Sequence, residues 1–399
     1  MVANDWTIET LESAGVSVID GDRGKEYPKS SDFFENEFCL FLSAKNVSKN
    51  GFNFDETQFI TKEKHSKMRK GQVKRNNIVL TTRGTVGQFA YFDESVPFDT
   101  IRINSGMVVL DLENSDLFPK FLYAVCCSNL IKNQIEGLSF GSAQPQLTVK
   151  IIKDLKIPKP PLAEQKKIAE ILSTWDKAIE TVEKLVANSQ QQKKALMQQL
   201  LTGQKRLLDD NGMKFGDEWV EFSVSDLCKI GRGRVISKNE IQDNSGIYPV
   251  YSSQTLNNGI MGYLNTFDFD GEYVTWTTDG VNAGTIFYRN GKFNCTNVCG
   301  TLSPKSDLIN LKFLALALSR VAFKYVSHTL ANPKLMNGVM GTITIQVPKI
   351  EEQEKIAQVL TLADREIDLY QQQLDKLKLE KKSLMQQLLT GQKRVKLET

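Results

Sequence analysis

The chain has 399 residues, 41% hydrophobic and 24% charged, which is enough for two or three domains with cores of their own and excludes a mostly disordered protein. It has no run of about eighteen apolar residues and no basic, then apolar, leader, so no membrane span or export is expected and the cytoplasm is the expected compartment. Basic and acidic residues number 20 and 20 in 1–160, 8 and 5 in 161–208, 12 and 13 in 209–347, and 10 and 9 in 348–399; the net charge of +3 thus excludes a uniformly basic nucleic-acid binder and leaves only local clusters to meet phosphate.

In chain order, a tryptophan-led segment at Trp6 runs into the turn GDRGK at Gly21. A basic cluster follows, in which Lys62, Lys64, Lys67, Arg69 and Lys70 precede Lys74 and Arg75 with only Glu63 against them. It reads as a phosphate-positioning surface or, equally simply, as a solvated helix. The cluster leads into IVLTTRGTVG from Ile78, a strand ending in a glycine turn. Arg83 in that turn suits bidentate reading of guanine, with Thr85 beside it, while the plainer reading of Arg83 is a turn residue paired to a neighbour. An apolar helix is predicted over Leu117 to Ile135, followed by AQPQL at Ala143.

From Pro161 the spacing predicts a long helix. Apolar residues fall at Ile168, Leu172, Trp175, Ile179, Val182 and Val186 and resume at Leu196 and Leu200, in steps of three and four, up to a stop at Gly203. A second unit then opens at Trp219 with GRGR at Gly231, where Arg232, Arg234 and Lys238 join Lys229 in a smaller basic cluster. Ser252, Ser253, Gln254, Thr278 and Asn282 offer neutral hydrogen-bonding groups suited to base edges, although each also reads as an ordinary loop residue. YVTWTTDGVNAG from Tyr273 repeats the strand and glycine turn, and a second apolar helix is predicted over Leu308 to Val326. ANPKL at Ala331 precedes a second long helix from Pro348 to Gly391, with its stripe at Ile356, Leu360, Ala363, Ile367, Tyr370, Leu374 and Leu377, then Leu384 and Leu388. The turn glycines at Gly84, Gly87, Gly280 and Gly284 suit chain reversal better than ligand binding.

The organising feature is an internal repeat. LMQQLLTGQKR stands at Leu196 to Arg206 and again at Leu384 to Arg394, an offset of 188 residues. The same offset aligns Gln165, Lys167, Ile168 and Ala169 with Gln353, Lys355, Ile356 and Ala357, and AQPQL with ANPKL, but fails upstream. A narrow seam on a helix of some 40 residues, roughly 60 Å at about 1.5 Å per residue, calls for a partner helix. The other copy is the obvious one, and antiparallel pairing would relate two similar units by a pseudo-twofold axis; the simpler alternative packs each helix on its own domain.

This order of variable unit, PxxxEQ-led helix ending LLTGQKR, second variable unit and second such helix resembles the specificity subunits of type I restriction-modification systems. The features that carry the resemblance are Pro160 to Gln165 and Pro348 to Gln353, the two LMQQLLTGQKR endings, and the strand-turn segments at Thr82 and Thr278. It covers nearly the whole chain. It implies an α+β protein with two α/β target recognition domains, 1–160 and 209–347, separated by two antiparallel coiled-coil helical regions, 161–208 and 348–399. Each domain would read one half of a bipartite site on double-stranded DNA while the helices set the spacing. It further implies two modification subunits with S-adenosylmethionine-dependent adenine methyltransferase activity, and restriction subunits that cleave with ATP and Mg; no cofactor is expected in this chain.

No constellation for catalysis accompanies these features. GxxxxGK[ST] is absent, the nearest approach to a methyltransferase N/D-P-P-Y/F turn is Asn332 and Pro333 without the second proline and the aromatic, and His65 and His328 are the only histidines. Six cysteines without an export signal are expected as free thiols, and the pair in CTNVC, Cys295 and Cys299, lacks the further ligands of a zinc site. The rival expectation is a coiled-coil scaffold whose flanking domains bind protein, and a third is a self-sufficient methyltransferase or nuclease.

Overall fold

The computed structural model describes residues 5–138, 146–328 and 332–397, in two compact units: 1–183 with 373–399, and 184–372. Each unit therefore holds one variable region together with a part of both long helices. Among the described residues no helix is long and apolar enough to cross a membrane.

The first unit is built on an antiparallel sheet of four strands in the order Ser17–Asp20, Met107–Asp111, Ile78–Thr81, Phe89–Tyr91. Its two central strands are buried throughout, and their side chains alternate between two cores. Ile78, Leu80, Val108 and Leu110 face the helical side, where Ile168, Leu172 and Leu388 also pack; Val79, Met107 and Val109 join Leu40, Leu42 and Ile101 of a second four-stranded sheet. The strand period of two thus produces a layered domain from a continuous apolar run.

The second unit repeats the first sheet in the same order with Cys228–Arg232, Cys299–Pro304, Glu272–Thr277 and Ile286–Asn290, and adds a three-stranded sheet of Ile260–Leu264, Ser245–Tyr251 and Asn294–Cys295. The repeat extends to a small ribbon. Thr7–Thr10 pairs antiparallel with Lys156–Lys159, and Val220–Ser223 pairs likewise with Thr344–Val347, 188 residues on from Lys156–Lys159.

The predicted helix over Leu117 to Ile135 is two helices, Pro119–Cys126 and Asn129–Leu138. Ser128 makes the break: its hydroxyl donates to the Val125 carbonyl and accepts from the Leu130 amide, ending one helix and starting the next. The counterpart over Leu308 to Val326 is shorter than predicted. Asn310 caps its start through the amides of Lys312 and Phe313, the helix runs Leu311–Val321, and a 3-10 turn, Ala322–Tyr325, closes it. Of the AQPQL and ANPKL segments, residues 143–145 and 331 lie outside the described residues. Leu147 and Leu335, which end the two segments, are both buried.

The long helices span Leu162–Leu200 and Ile350–Leu389, and Gly203 and Gly391 beyond them both have φ 71, a left-handed stop that a side chain would resist. Within each unit the two helices pair antiparallel, because ion-pair partners fall in number along one helix as they rise along the other. The first unit joins Glu164, Asp176 and Glu183 to Arg394, Lys381 and Lys378; the second joins Glu352 and Asp364 to Arg206 and Lys193. Glu164 and Glu352, Asp176 and Asp364, Lys193 and Lys381, and Arg206 and Arg394 are each 188 apart, so each unit makes the same contacts with the copies exchanged. Of the seam positions, Ile168, Leu172, Val182, Val186, Leu200, Ile356, Leu360 and Leu374 are buried and Trp175, Ile179, Leu196, Ala363, Ile367 and Tyr370 half-buried, while Leu362, Leu369 and Leu379 off the seam are exposed.

Candidate nucleic-acid interface

In the first unit the basic segment hangs on one buried arginine. Arg102, 4% exposed, stands in the otherwise apolar strand Ile101–Ile103. It donates to the carbonyls of His65 (2.8 Å), Met68 (3.0 Å) and Lys70 (2.7 Å), and its Nε donates to His65 Nδ1 at 3.0 Å. An accepting Nδ1 must be unprotonated, and burial together with the Arg102 charge lowers the His65 pKa below the ordinary 6.5. The predicted solvated helix is present but short: Lys62–Lys67, capped by the Thr61 hydroxyl on the Lys64 amide.

The cationic side chains of this cluster divide. Arg75 is turned inward, its guanidinium on the carbonyls of Val96 and Phe98 (each 3.2 Å) and on that of Asp93, and 4.2 Å from the Phe92 ring centroid. Lys74 reaches Glu113 and Asp111, Lys64 reaches Asp32 at 3.2 Å, and Lys67 pairs with Glu63 one helical turn away. Arg69, Lys70 and Lys62 are exposed, and among the described residues none of the three side chains meets a carboxylate; Lys62 lies 5.6 Å from the Phe38 ring centroid, which leaves Arg69 and Lys70 without even an aromatic partner.

The two strand-turn segments share one backbone frame. In the first unit the Thr82 amide donates to Gly106 O (2.8 Å), the Leu147 amide to Thr82 O (3.2 Å) and the Gly87 amide to Thr81 O (2.9 Å). In the second, Thr278 donates to Val298 O, Leu335 to Thr278 O and Gly284 to Thr277 O, each at 2.9 Å. Gly84 and Gly87 (φ 73 and 82) correspond to Gly280 and Gly284 (φ 97 and 85), positions where only glycine adopts the required left-handed backbone without cost.

Different side chains occupy that frame. In the first unit Arg83 and Thr85 are exposed, and Arg83 lies against the Gln146 side-chain oxygen (2.9 and 3.1 Å) in the amide orientation that satisfies both groups. In the second unit Thr278 is wholly buried and its hydroxyl donates to Asp279 at 2.6 Å. Asp279 in turn holds Arg232 at 3.3 Å and Lys334 at 3.6 Å, and Arg232 also donates to the Asn297 carbonyl. Arg234 is paired with Glu240 (2.7 Å) and Asp268 (3.0 Å), whereas Lys238 is exposed at the start of the short helix Lys238–Asp243. Asn282 donates to the Ser253 carbonyl at 3.2 Å and Gln254 to that of Ile260, so Ser253, Gln254 and Asn282 belong to two neighbouring loops tied together.

Three residues of this region escaped sequence reasoning. Arg102 and Arg289 are single cations in apolar strands, and that pattern was the available signal. Arg289 is 4% exposed, lies 3.6 Å from the Tyr251 ring centroid and 4.3 Å from that of Phe287, and donates to the Asn258 carbonyl at 2.9 Å. Val281, 94% exposed at the turn, carried no signal at all. Cys39, Cys126, Cys228, Cys295 and Cys299 are buried free thiols, and among the described residues no three or more His, Cys, Asp or Glu side chains converge as a metal site would.

Comparison with known proteins gives a consistent result. Residues 6–188 and 216–379 match the family described as Type I restriction modification DNA specificity domain. A putative type I specificity subunit N-terminus of Mycoplasma pneumoniae is 52% identical over 139 residues, 35% of this chain and 74% of its own length. A second putative type I specificity subunit of that organism is 39% identical over 233 residues, 56% of this chain and 93% of its own. The crystal structure of a type I restriction-modification system S subunit from M. genitalium covers 98% of both chains with a TM-score of 0.62 at 18% identity, a likeness of fold.

Proposed function

Because the chain belongs to the Type I restriction modification DNA specificity domain family, we propose that each of its two units reads one half of an asymmetric bipartite site on double-stranded DNA. The long helices set the half-site spacing and dock two modification subunits. Those subunits supply S-adenosylmethionine-dependent adenine methylation, and restriction subunits add ATP- and Mg-dependent cleavage in the cytoplasm. This chain contributes recognition and no catalysis.

The observation that carries the reading is the pair of strand-turn frames, equal in backbone and different in side chain. A shared frame presenting Arg83 and Thr85 in one unit and Val281 and Asn282 in the other is what two readers of different half-sites need. Phosphate positioning falls to Arg69 and Lys70 in the first unit and to Lys238 in the second, with Lys64, Lys67, Arg232 and Arg234 available only on exchanging an internal carboxylate for phosphate. Lys74 and Arg75 serve the fold, and Thr278 acts through Asp279.

A gel-shift titration of the chain with and without the modification subunits, on duplexes carrying the bipartite motif read from host methylation, tests the proposal. Sequence-selective retardation in either state is expected. Its absence from both overturns the proposal and favours a protein-binding scaffold.

A further inference from the structure

We propose that the second unit reads an A·T pair, with Val281 and Leu256 seated on the thymine C5-methyl group and Asn282 at the adenine edge; this rests on the DNA-reading role given above and specifies its chemistry. The two aligned turns supply the comparison. TTRGTVG places an exposed arginine and threonine at its tip, whereas TTDGVNAG places Asp279, Gly280, Val281 and Asn282 there. Asp279 is turned back onto Arg232 and Lys334, so no free charge remains at this tip. What projects is an aliphatic side chain, Val281, at 94% exposure.

A second aliphatic side chain stands on the loop tied to this turn. The Asn282 amide donates to the Ser253 carbonyl, and three residues on from Ser253 Leu256 is 81% exposed. That loop is held in an unfavourable backbone. Asn257 and Asn258 have φ 49 and 54 and Gly259 follows at 83, a left-handed run that only surrounding contacts can maintain. Arg289 provides the contact: a buried guanidinium clamped by Tyr251 and Phe287 donates to the Asn258 carbonyl, and its Nη2 lies 3.1 Å from where a Gly259 Cβ would stand. Exposed apolar tips on a strained, buttressed loop cost stability without serving the core, which marks them as a contact surface.

The chemistry selects the base pair. In the major groove only A·T offers a methyl group beside a donor and an acceptor, adenine N6 and N7, and an aliphatic side chain next to a carboxamide complements that pattern. Asn282 spends one amide hydrogen on Ser253 and keeps its Oδ1 and the other hydrogen for the base. Arginine at the matching turn suits guanine instead, so the two half-sites should differ at the position each turn reaches.

The test uses the chain in complex with its modification subunits and duplexes carrying the methylation motif, each thymine of the second unit's half replaced in turn by uracil, which lacks only the methyl group. One position should weaken binding by about fourfold, the worth of one buried methyl-sized group. That loss should vanish in Val281→Ala combined with Leu256→Ala, because nothing then remains to pack on the methyl. Selective binding indifferent to every uracil, or a uracil effect unchanged in the double variant, overturns the inference. Loss of selectivity on the unsubstituted duplex overturns the DNA-reading role itself, and so is told apart.

Discussion

The clasp between Arg206 and Glu352 is the most exacting test of the packing. Glu352 is 1% exposed, and both its oxygens accept from the guanidinium at 2.6 Å while Trp219 Nε1 donates to one of them at 3.3 Å. Glu352→Gln keeps the shape and removes the charge, leaving a partly buried guanidinium with a poorer acceptor; breaking such a pair costs about 3 kcal/mol. With a denaturant slope of about 2–3 kcal/mol/M, the urea midpoint of the second unit, followed by tryptophan fluorescence, should fall by about 1 M. The equivalent Glu164→Gln should cost less, since Arg394 is half-exposed and retains Asp5 at 2.8 Å. Replacing both Arg206 and Glu352 by leucine should restore much of the loss, because an apolar pair leaves no buried charge unpaired. An unchanged midpoint in Glu352→Gln, or a larger drop in Glu164→Gln, would refute this assignment of the energy.

Lys70→Ala should weaken DNA binding on all sequences alike and reduce the salt-dependence slope by about one, whereas Lys74→Ala, already matched by Glu113 and Asp111, should leave the slope where it is. His65 has a lowered pKa in the folded protein, so its contribution is fully present above pH 6.5 and is lost as pH falls from there through the folded value. Amide exchange over residues 62–70, normalised to intrinsic rates, should rise across that window, and His65→Gln should remove the dependence. Exchanging residues 216–347 for those of another specificity subunit should change one half of the methylated motif, and a change in both halves would reject modular reading. Four residues inserted after Val186 should alter the spacer or abolish assembly with both half-site sequences kept; an unchanged spacer would reject the ruler role.

The long helices were legible because identical residues at one offset must fold alike, and their boundaries came within a few residues of the stop glycines. The break at Ser128 was not legible, since a hydroxyl that ends a helix looks the same in sequence as one that decorates it. The interface divides along a similar line. That TTRGTVG and TTDGVNAG are equivalent turns could be read from their glycines. The internal commitment of Arg75 and the burial of Thr278 could not, because each depends on carbonyls or carboxylates brought close only by the sheet. Basic residues counted in sequence are therefore an upper bound on those free to meet phosphate.

The repeated motifs make sense only in exchange. Glu164 of the first PxxxEQ is closed by Arg394 of the second GQKR, and Glu352 of the second PxxxEQ by Arg206 of the first. The neighbouring glutamines perform the other half of the task. Gln165 accepts from the Phe118 amide and donates to Pro160 O, and Gln353 accepts from the Asn310 amide and donates to Pro348 O and Leu308 O, each fastening a domain helix to the start of a long one. A buried glutamine with both ends satisfied and a buried glutamate with a bidentate arginine tolerate little change of shape or charge. In the turns 82–87 and 278–284 the fixed positions are the glycines and the base, Thr82 and Thr278 with Asp279, whereas Arg83, Thr85 and Val281 at the tips are exposed. The fold thus concentrates its constraint at the helix ends and leaves the reading tips free to differ, and this explains why one offset holds across the helices and fails across the readers.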